Sequence, residues 1–484
     1  MNIIDLLEFI AYMLGMLGIG IYFMKKNEGA NDYFLAGRDM GSVHIGLSVV
    51  ATDVGGGFSI GLGGLGFVIG LSGSWMLFTG LIGAWISAVL LIPRVKKMST
   101  NLNFYTFPDL FDHFYDSKVA FIAGIISAIG YIGFTSSQVL AGAKLASASF
   151  IHLNMQWALY IMGGIIVLYT FMGGMKAVIY TDTVQWIILM TGLVLVGIPV
   201  SYFALGGWSA ISQAVPDKMF SLANISWQQL VNWGITIIPI WFVGMTLYQR
   251  IYASRTEKEA KKAWYLAGLF EWPIMAFMGV MLGLFGKVAA MQGMFNYLGH
   301  SSVANMDPEM GLPLLLRTVL PVGLMGIMMS AYFSAIMSTA DSCLIAASGN
   351  VTSDILRKIF HWNHEDDKLL SVSQIVTLTL GVIALLLASF MNSVLDLMLY
   401  SYAFMVSGLL VPIIGALFWE GSTAQGALWA MIVGGFTTVS LSAQGFFKLP
   451  LGLDANIFGI LASMIVFIVI SLMTQEKEFE LQTA

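Results

Sequence analysis

This chain is short of charge, of cysteine and of proline. Only 10% of its 484 residues are Asp, Glu, Lys or Arg, against roughly 25% in a soluble domain, which excludes an ordinary soluble protein. A single cysteine, Cys343, excludes an intramolecular disulfide and leaves the redox compartment open. Six histidines are scattered along the chain and make no metal-type cluster with that cysteine. There is no GxxxxGK(S/T) phosphate loop, no nucleophile elbow and no protease motif, so neither an ATP motor nor an enzyme is expected. A net charge of −5 does not point to nucleic acid. The first apolar run lacks a basic stretch before it and passes straight into Lys25 and Lys26, so no cleavable signal peptide is expected.

What is there is apolar. Hydrophobic residues make up 58% of the chain, and its mean hydropathy is +0.82. The 52 glycines against 11 prolines suit close-packed membrane helices. A spanning helix takes about 20 apolar residues. Thirteen segments qualify: 5–24, 42–70, 74–92, 119–150, 155–173, 178–206, 230–252, 262–291, 312–346, 370–390, 394–418, 423–443 and 456–473. With the N-terminus outside, the loops after odd-numbered segments and the C-terminus hold 17 of the 22 basic residues, which predicts an N-out, C-in protein. No soluble domain interrupts the pattern. Residues 1–484 read as one transmembrane unit: 1–41 peripheral, 42–206 and 230–418 as two repeats, and 423–484 as two last helices with a short tail.

Two segments look broken. The second carries Gly55-Gly56-Gly57, and the seventh carries Pro239 and Gly244. They lie five segments apart. Discontinuous helices at matching places in two halves mark an inverted-repeat transporter with its site at the midplane. Beside the first break stands Asp53. An acid at that depth costs about 2.5–3.5 kcal/mol even on the lenient insertion scale, so it must face a cavity, a partner or a cation. The ninth segment carries the polar string SAIMSTADSCLIAASGNVTSD, Ser334 to Asp354. Within it Ala335, Ser338, Thr339 and Ser342 share a helix face or its margin, and hydroxyls with a carboxylate are how a buried site holds a hard cation such as Na+. Asp182 stands near the start of the sixth segment. Phe58, Trp75, Trp241 and Tyr248 fall where the broken helices and their neighbours could line a small cavity. Lys144 and Glu271 lie deep in their segments with no assigned role, and Arg250 reads as lying past the membrane core. With no ATP motif, the energy source is an ion gradient, or else there is none, as in a channel.

The motifs NDYFLAGRDM (31–40), ATDVGGG (51–57), GGMKAVIYTDTVQ (173–185), YQRIYASRTEKEAKKA (248–263), SAIMSTADS (334–342) and LFWEGSTAQGALWAMIVGG (417–435) occur in order at the expected helix positions. In these pieces the chain resembles the sodium:solute symporters over about residues 5–475. The resemblance implies an all-α polytopic membrane protein with a LeuT-type core of two inverted five-helix repeats. It implies a primary sodium site at the carbonyls of Ala51, Val54 and Ala335 and the hydroxyls of Ser338 and Thr339. A second sodium site found in some members maps onto Asp182, Ser338, Asp341 and Ser342. Asp53 matches an Asp that the proline carriers of the family need for sodium coupling.

Gly244 and Met245 stand where sugar-carrying members have Asn and Gln, which disfavours a sugar. The Trp that choline carriers have at the position of Asp53 is missing, and with it a cation–π wall. The expectation is a plasma-membrane symporter of Na+ and a small organic solute, an amino acid of proline type or a short carboxylate. Its partners are that solute and the lipid bilayer, with no nucleic acid and no obligatory protein partner. A proton-coupled or uncoupled carrier, or a non-transporting sensor, are the alternatives.

Overall fold

The computed structural model describes residues 2–25, 34–38, 40–150, 153–300, 302–361, 367–443 and 449–483, without the side chains at 20, 23, 24, 37, 54, 57, 58, 172–174, 176, 177, 180, 359, 367, 368 and 476–483. Helix dominates, and no strand occurs among the described residues. Lipid offers no partner to backbone N–H and C=O groups, so a chain this apolar must satisfy them within helices. Eight helical stretches among the described residues are long and apolar enough to cross a membrane, or nine with one bent pair.

The first half runs α1 (Ile3–Met24), α2 (Ser42–Val54), α3 (Gly56–Ile69), α4 (Trp75–Leu90), α5 (Ile92–Leu102), α6 (Ser117–Ser149), α7 (Met155–Gly192) and α8 (Ile198–Ala204). The second half runs α9 (Trp227–Val243), α10 (Met245–Ala253), α11 (Glu257–Leu269), α12 (Ala276–Met291), α13 (Gly311–Val319), α14 (Leu324–Gly349), α15 (Asp367–Ala388), α16 (Val394–Phe418), α17 (Ala424–Ala443) and α18 (Ala455–Thr483). Short connecting helices are left unnumbered.

Both expected breaks are present. α2 stops at Gly55, whose φ −37, ψ −155 is not helical, and α3 starts at once. A Cβ on Gly55 would overlap the Thr339 side chain, so glycine is what lets α14 approach the break. α9 and α10 meet at a bend of 41°. Gly244 is extended there, and Pro239 one turn earlier removes a helical hydrogen bond. Two tyrosines brace this second break. Tyr248 donates to the Phe242 carbonyl at 2.7 Å, and Tyr131 of α6 accepts from the Thr246 N–H at 3.1 Å.

α14 is the axis of the fold. It packs on α6, α7, α2, α1 and α15, and nearly every residue it carries is buried. Its N-terminus is capped from α1, where Asp5 accepts from the Gly323 and Gly326 N–H groups at 2.7 and 3.0 Å. Peripheral α18 instead turns Leu461, Ile465, Val469 and Leu472 outward, as a lipid-facing helix must.

Three expected segments differ on folding. The run 312–346 is split by Pro321 and by Gly323 at φ +86, so α13 is a separate short helix and only α14 has spanning length. Proline removes a donor and glycine tolerates the left-handed region, and hydropathy registers neither. Conversely, 155–173 and 178–206 are joined by continuous helical backbone through α7. Yet the Tyr169 and Thr181 hydroxyls lie 3.2 Å apart, whereas twelve residues of straight helix span about 18 Å. The chain therefore turns between them, and two packed segments result.

Candidate functional site

The first break brings α14 to α2. The Thr339 hydroxyl donates to the Ala51 carbonyl at 2.8 Å and lies 3.4 Å from the Ala335 carbonyl. A sodium-sized hard cation holds oxygens at about 2.4 Å, which places adjacent ligands about 3.4 Å apart. The Thr339 hydroxyl thus contacts two of the other four expected ligands, Ala51 and Ala335. Ser338 Oγ, one residue earlier, is buried with no hydrogen-bond partner, an orphan acceptor of the kind a cation relieves. Val54 enters the expected set by its carbonyl alone, and its side chain lies outside those described.

The second group is organised otherwise than expected. Asp182 and Arg250 are both 0% exposed, and Arg250 Nη2 sits 3.4 Å from Asp182 Oδ2. The same guanidinium donates to Thr52 Oγ1 at 2.5 Å, Ser342 Oγ at 2.7 Å, Ser48 Oγ at 3.0 Å and the Thr246 carbonyl at 3.2 Å. Ser48 in turn donates to Asp182 at 2.5 Å. Arg250 therefore does not lie past the core. It ties α10 to α2, α7 and α14, and it engages two residues of the expected second sodium set, Asp182 and Ser342. A third, Asp341, accepts a short hydrogen bond from Thr170 of α7. Ser338, the fourth, faces Asp182.

Asp53 is 6% exposed, with Tyr402 of α16 at 3.5 Å. Its carboxyl interacts with that of Glu271, which is 0% exposed and has no N–H or hydroxyl partner on either oxygen. Glu271 opens a π-turn, Phe270–Met275, that interrupts helix between α11 and α12, with Trp272 in a non-helical conformation. It lies against Gly80 of α4, where a Cβ would collide with it.

The expected cavity aromatics disperse. Trp241 packs between α4 and α11, against Gly83 and Trp264. Tyr248 braces the α9–α10 break. Trp75 donates to the Leu222 carbonyl of the loop before α9 at 2.8 Å and joins Phe78 and Trp272 in one aromatic group. The Phe58 side chain lies outside those described. An aromatic beside a break packs on whichever neighbour is near, and one sequence does not say which.

Residues 33–434 match the model of the sodium:solute symporter family. The chain belongs to that family. Among its relatives, the osmoregulated proline transporter OpuE of Bacillus subtilis (strain 168) is 31% identical over 96% of this chain and 94% of its own. The high-affinity proline transporter PutP of the same organism is 29% identical, over 95% and 96%. The sodium/proline symporter of Escherichia coli (strain K12) is 28% identical, over 99% and 94%. Among solved structures, a Na+-coupled sialic acid symporter in a substrate-bound outward-open state superposes with TM-score 0.78 at 21% identity, covering 98% of both chains. A nucleobase-cation-symport-1 family transporter gives TM-score 0.56 at 14% identity, covering 92% of this chain and 95% of its own. The fold is thus the LeuT type, and the protein is a multi-pass plasma-membrane symporter of Na+ and a small organic solute, not an enzyme.

In the symporter, Lys144 finds a role the sequence left blank. Its ammonium meets Asp307 and Glu309 at 2.6 Å each. Glu309 also accepts from the Val394 and Leu395 N–H groups at the start of α16, both at 3.0 Å. One buried cation thus fastens α6 to the loop before α13 and to α16. At the opposite end of the bundle, Lys96 of α5 donates to the Tyr252 and Ser254 carbonyls that end α10, at 3.1 and 2.5 Å, where a cation complements the helix dipole. Met40 pairs there with the Ala253 carbonyl and the Arg255 N–H, both at 3.0 Å.

Arg250 and Glu271 are the residues sequence reasoning missed. Arg250 stands near the end of an apolar segment, where snorkelling is the ordinary reading. The usable signal was Asp182: an intramembrane acid needs a partner, and Arg250 is the single basic residue of α9 and α10.

Proposed function

We propose that this symporter imports an amino acid of proline type with one sodium ion per cycle, by alternating access between inverted repeats 42–206 and 230–418. The observation that carries the sodium side is the Thr339 hydroxyl placed at the carbonyls of Ala51 and Ala335. Sodium takes those oxygens together with the Val54 carbonyl and Ser338, and joins the break between α2 and α3 to α14. Joining them favours the outward-open form and completes the solute site. Closure follows, and then release inside. The proline-type solute rests on the relatives, three of which are proline carriers by name, and on Asp53. The partial positive ends of α3 and α10 at the breaks suit a carboxylate, so a short carboxylate is the second reading.

A single ion is favoured because Arg250 already supplies a positive charge to Asp182 and Ser342. One charge crossing ~100 mV provides about 2.3 kcal/mol, and a tenfold sodium gradient adds about 1.4 kcal/mol. Together these support roughly 500-fold accumulation. The test is uptake of radiolabelled proline into proteoliposomes under an inward sodium gradient, with short carboxylates, other amino acids and sugars as competitors. Proline should saturate uptake and be displaced by close analogues. Displacement by a short carboxylate but not by proline would overturn the solute assignment.

A further inference from the structure

We propose that a cavity between α9, α16 and the start of α18 is a second binding site of this symporter, one that takes a small organic amine in its ammonium form. The cavity measures about 720 Å³, within the roughly 300–1,000 Å³ of small-molecule sites. α9 contributes Gln229, Trp233 and Thr236, which share one helix face. α16 contributes Asp396, Leu399, Tyr400 and Ala403, again one face. The turn into α18 contributes Asp454, and its first residues Asn456. Thr236 is eight residues before the Gly244 break, about 12 Å along a helix, so the cavity is separate from both breaks and from the sodium ligands. With the N-terminus outside, as the basic residues predict, this end of the bundle faces the exterior.

The lining selects the ligand. Asp396 and Asp454 bring two carboxylates, and among the described residues no Lys, Arg or His borders the cavity. Asp454 is held by a neutral partner. Asn232 Nδ2 donates to its Oδ1, and its N–H donates to Asn232 Oδ1, both at 3.0 Å. These bonds fix the carboxylate and leave its charge in place. Asn456, on the same wall, is 1% exposed and donates through Nδ2 to Thr236 Oγ1 at 2.9 Å. Its Oδ1 is buried with no partner, an acceptor that calls for a donor from elsewhere. The wall thus offers negative charge and acceptors, with the rings of Trp233 and Tyr400 and the apolar side chains of Leu399 and Leu453 beside them. An ammonium bearing N–H bonds answers each of these. It donates to the acids, rests on aromatic faces and lays its alkyl chain on the leucines. An organic anion is repelled by both acids, and a bare metal ion leaves most of the volume unfilled. Two carboxylates favour a diamine over a monoamine. Such an occupant bridges α16 to α9, the helix that leads into the second break.

The experiment is thermal unfolding of the purified full-length protein, at fixed ionic strength and saturating sodium, titrated with 1,5-diaminopentane, pentyltrimethylammonium or pentanoate. A ligand of the folded state raises the unfolding temperature with its concentration. The diamine should give a saturable rise, pentyltrimethylammonium should need at least tenfold more, and pentanoate should give none. Asp396→Asn and Asp454→Asn should each weaken the diamine response about tenfold or more, and the double variant should abolish it. No diamine response in the wild type, an equal response to pentanoate or to pentyltrimethylammonium, or an undiminished response in the double variant would overturn the proposal. The three-probe comparison uses the wild-type protein, so a poorly folding variant does not remove the test. Because no transported solute enters the assay, its failure leaves the sodium and proline readings standing, and theirs leaves this site standing.

Discussion

Arg250→Ala removes a cation from a fully buried cage and leaves the Asp182 carboxylate with the hydroxyls that Arg250 engaged, Ser48, Thr52 and Ser342. At 3.4 Å and an effective dielectric of about 20, the direct pair interaction is about 5 kcal/mol. Stranding one member of a buried pair costs roughly 3–5 kcal/mol. That is a large share of the stability of any folded protein. The truncation also opens a space lined by a carboxylate and three hydroxyls, which is a sodium site in all but its occupant. Sodium should therefore enter and restore part of the loss, about 2.7 kcal/mol at a concentration 100 times its dissociation constant. The assay is thermal unfolding of purified protein in sodium chloride and in choline chloride. The wild type should show the modest sodium shift of one site. Arg250→Ala should unfold much earlier in choline, recover strongly in sodium, and bind sodium with a Hill coefficient above that of the wild type. Adding Asp182→Asn should relieve the defect and cancel the extra sodium response, because the two changes act on one interaction. An Arg250→Ala protein as stable as the wild type in choline, with no added sodium response, would refute the tethered-cation account and restore Asp182 as a candidate for a second ion.

Other outcomes follow from the same geometry. Thr339→Val keeps the shape and removes the hydroxyl at Ala51 and Ala335; the sodium concentration for half-maximal uptake should rise at least tenfold, and an unchanged value would exclude Thr339 as a ligand. Gly55→Ala places a methyl on Thr339, so sodium-dependent uptake should fall to near background in protein that still reaches the membrane, as read by surface labelling. Lys144→Met strands Asp307 and Glu309, and a cysteine introduced in the 303–308 loop should react faster with an impermeant thiol reagent. Burial pushes the Lys96 amine down to about 8, with Arg38 adding repulsion. Between that pH and about 10.4, where an unfolded lysine titrates, the unfolded chain holds the extra proton, so stability should rise with pH. Lys96→Met should flatten that rise in a thermal-unfolding series.

Much of the fold was legible because the bilayer leaves few options. An apolar run of spanning length must be helix, and glycine runs beside an acid mark a break wherever they fall. Both breaks appear where Gly55 and Gly244 place them, and the Ser334–Asp354 string divides among neighbours as its helical spacing allows: Thr339 and Ser342 toward α2, Asp341 toward α7. What escaped were choices between equivalent contacts. Hydropathy merges α13 with α14 because it averages over Pro321 and Gly323. Sequence spacing cannot say that Trp241 faces Trp264 rather than a cavity, nor that the guanidinium of Arg250 reaches back across the bundle to Asp182. Glu271 shows the same limit. Its depth was visible, but its partner lies more than 200 residues away at Asp53.

The measurement that tests the central claim most directly is initial-rate proline uptake into proteoliposomes, at fixed pH and membrane potential, with sodium outside replaced stepwise by choline. Uptake should rise along a hyperbola with a Hill coefficient near one and vanish without sodium. In Thr339→Val the curve should shift to higher sodium. Uptake that persists undiminished in choline would contradict sodium coupling at the break between α2 and α3.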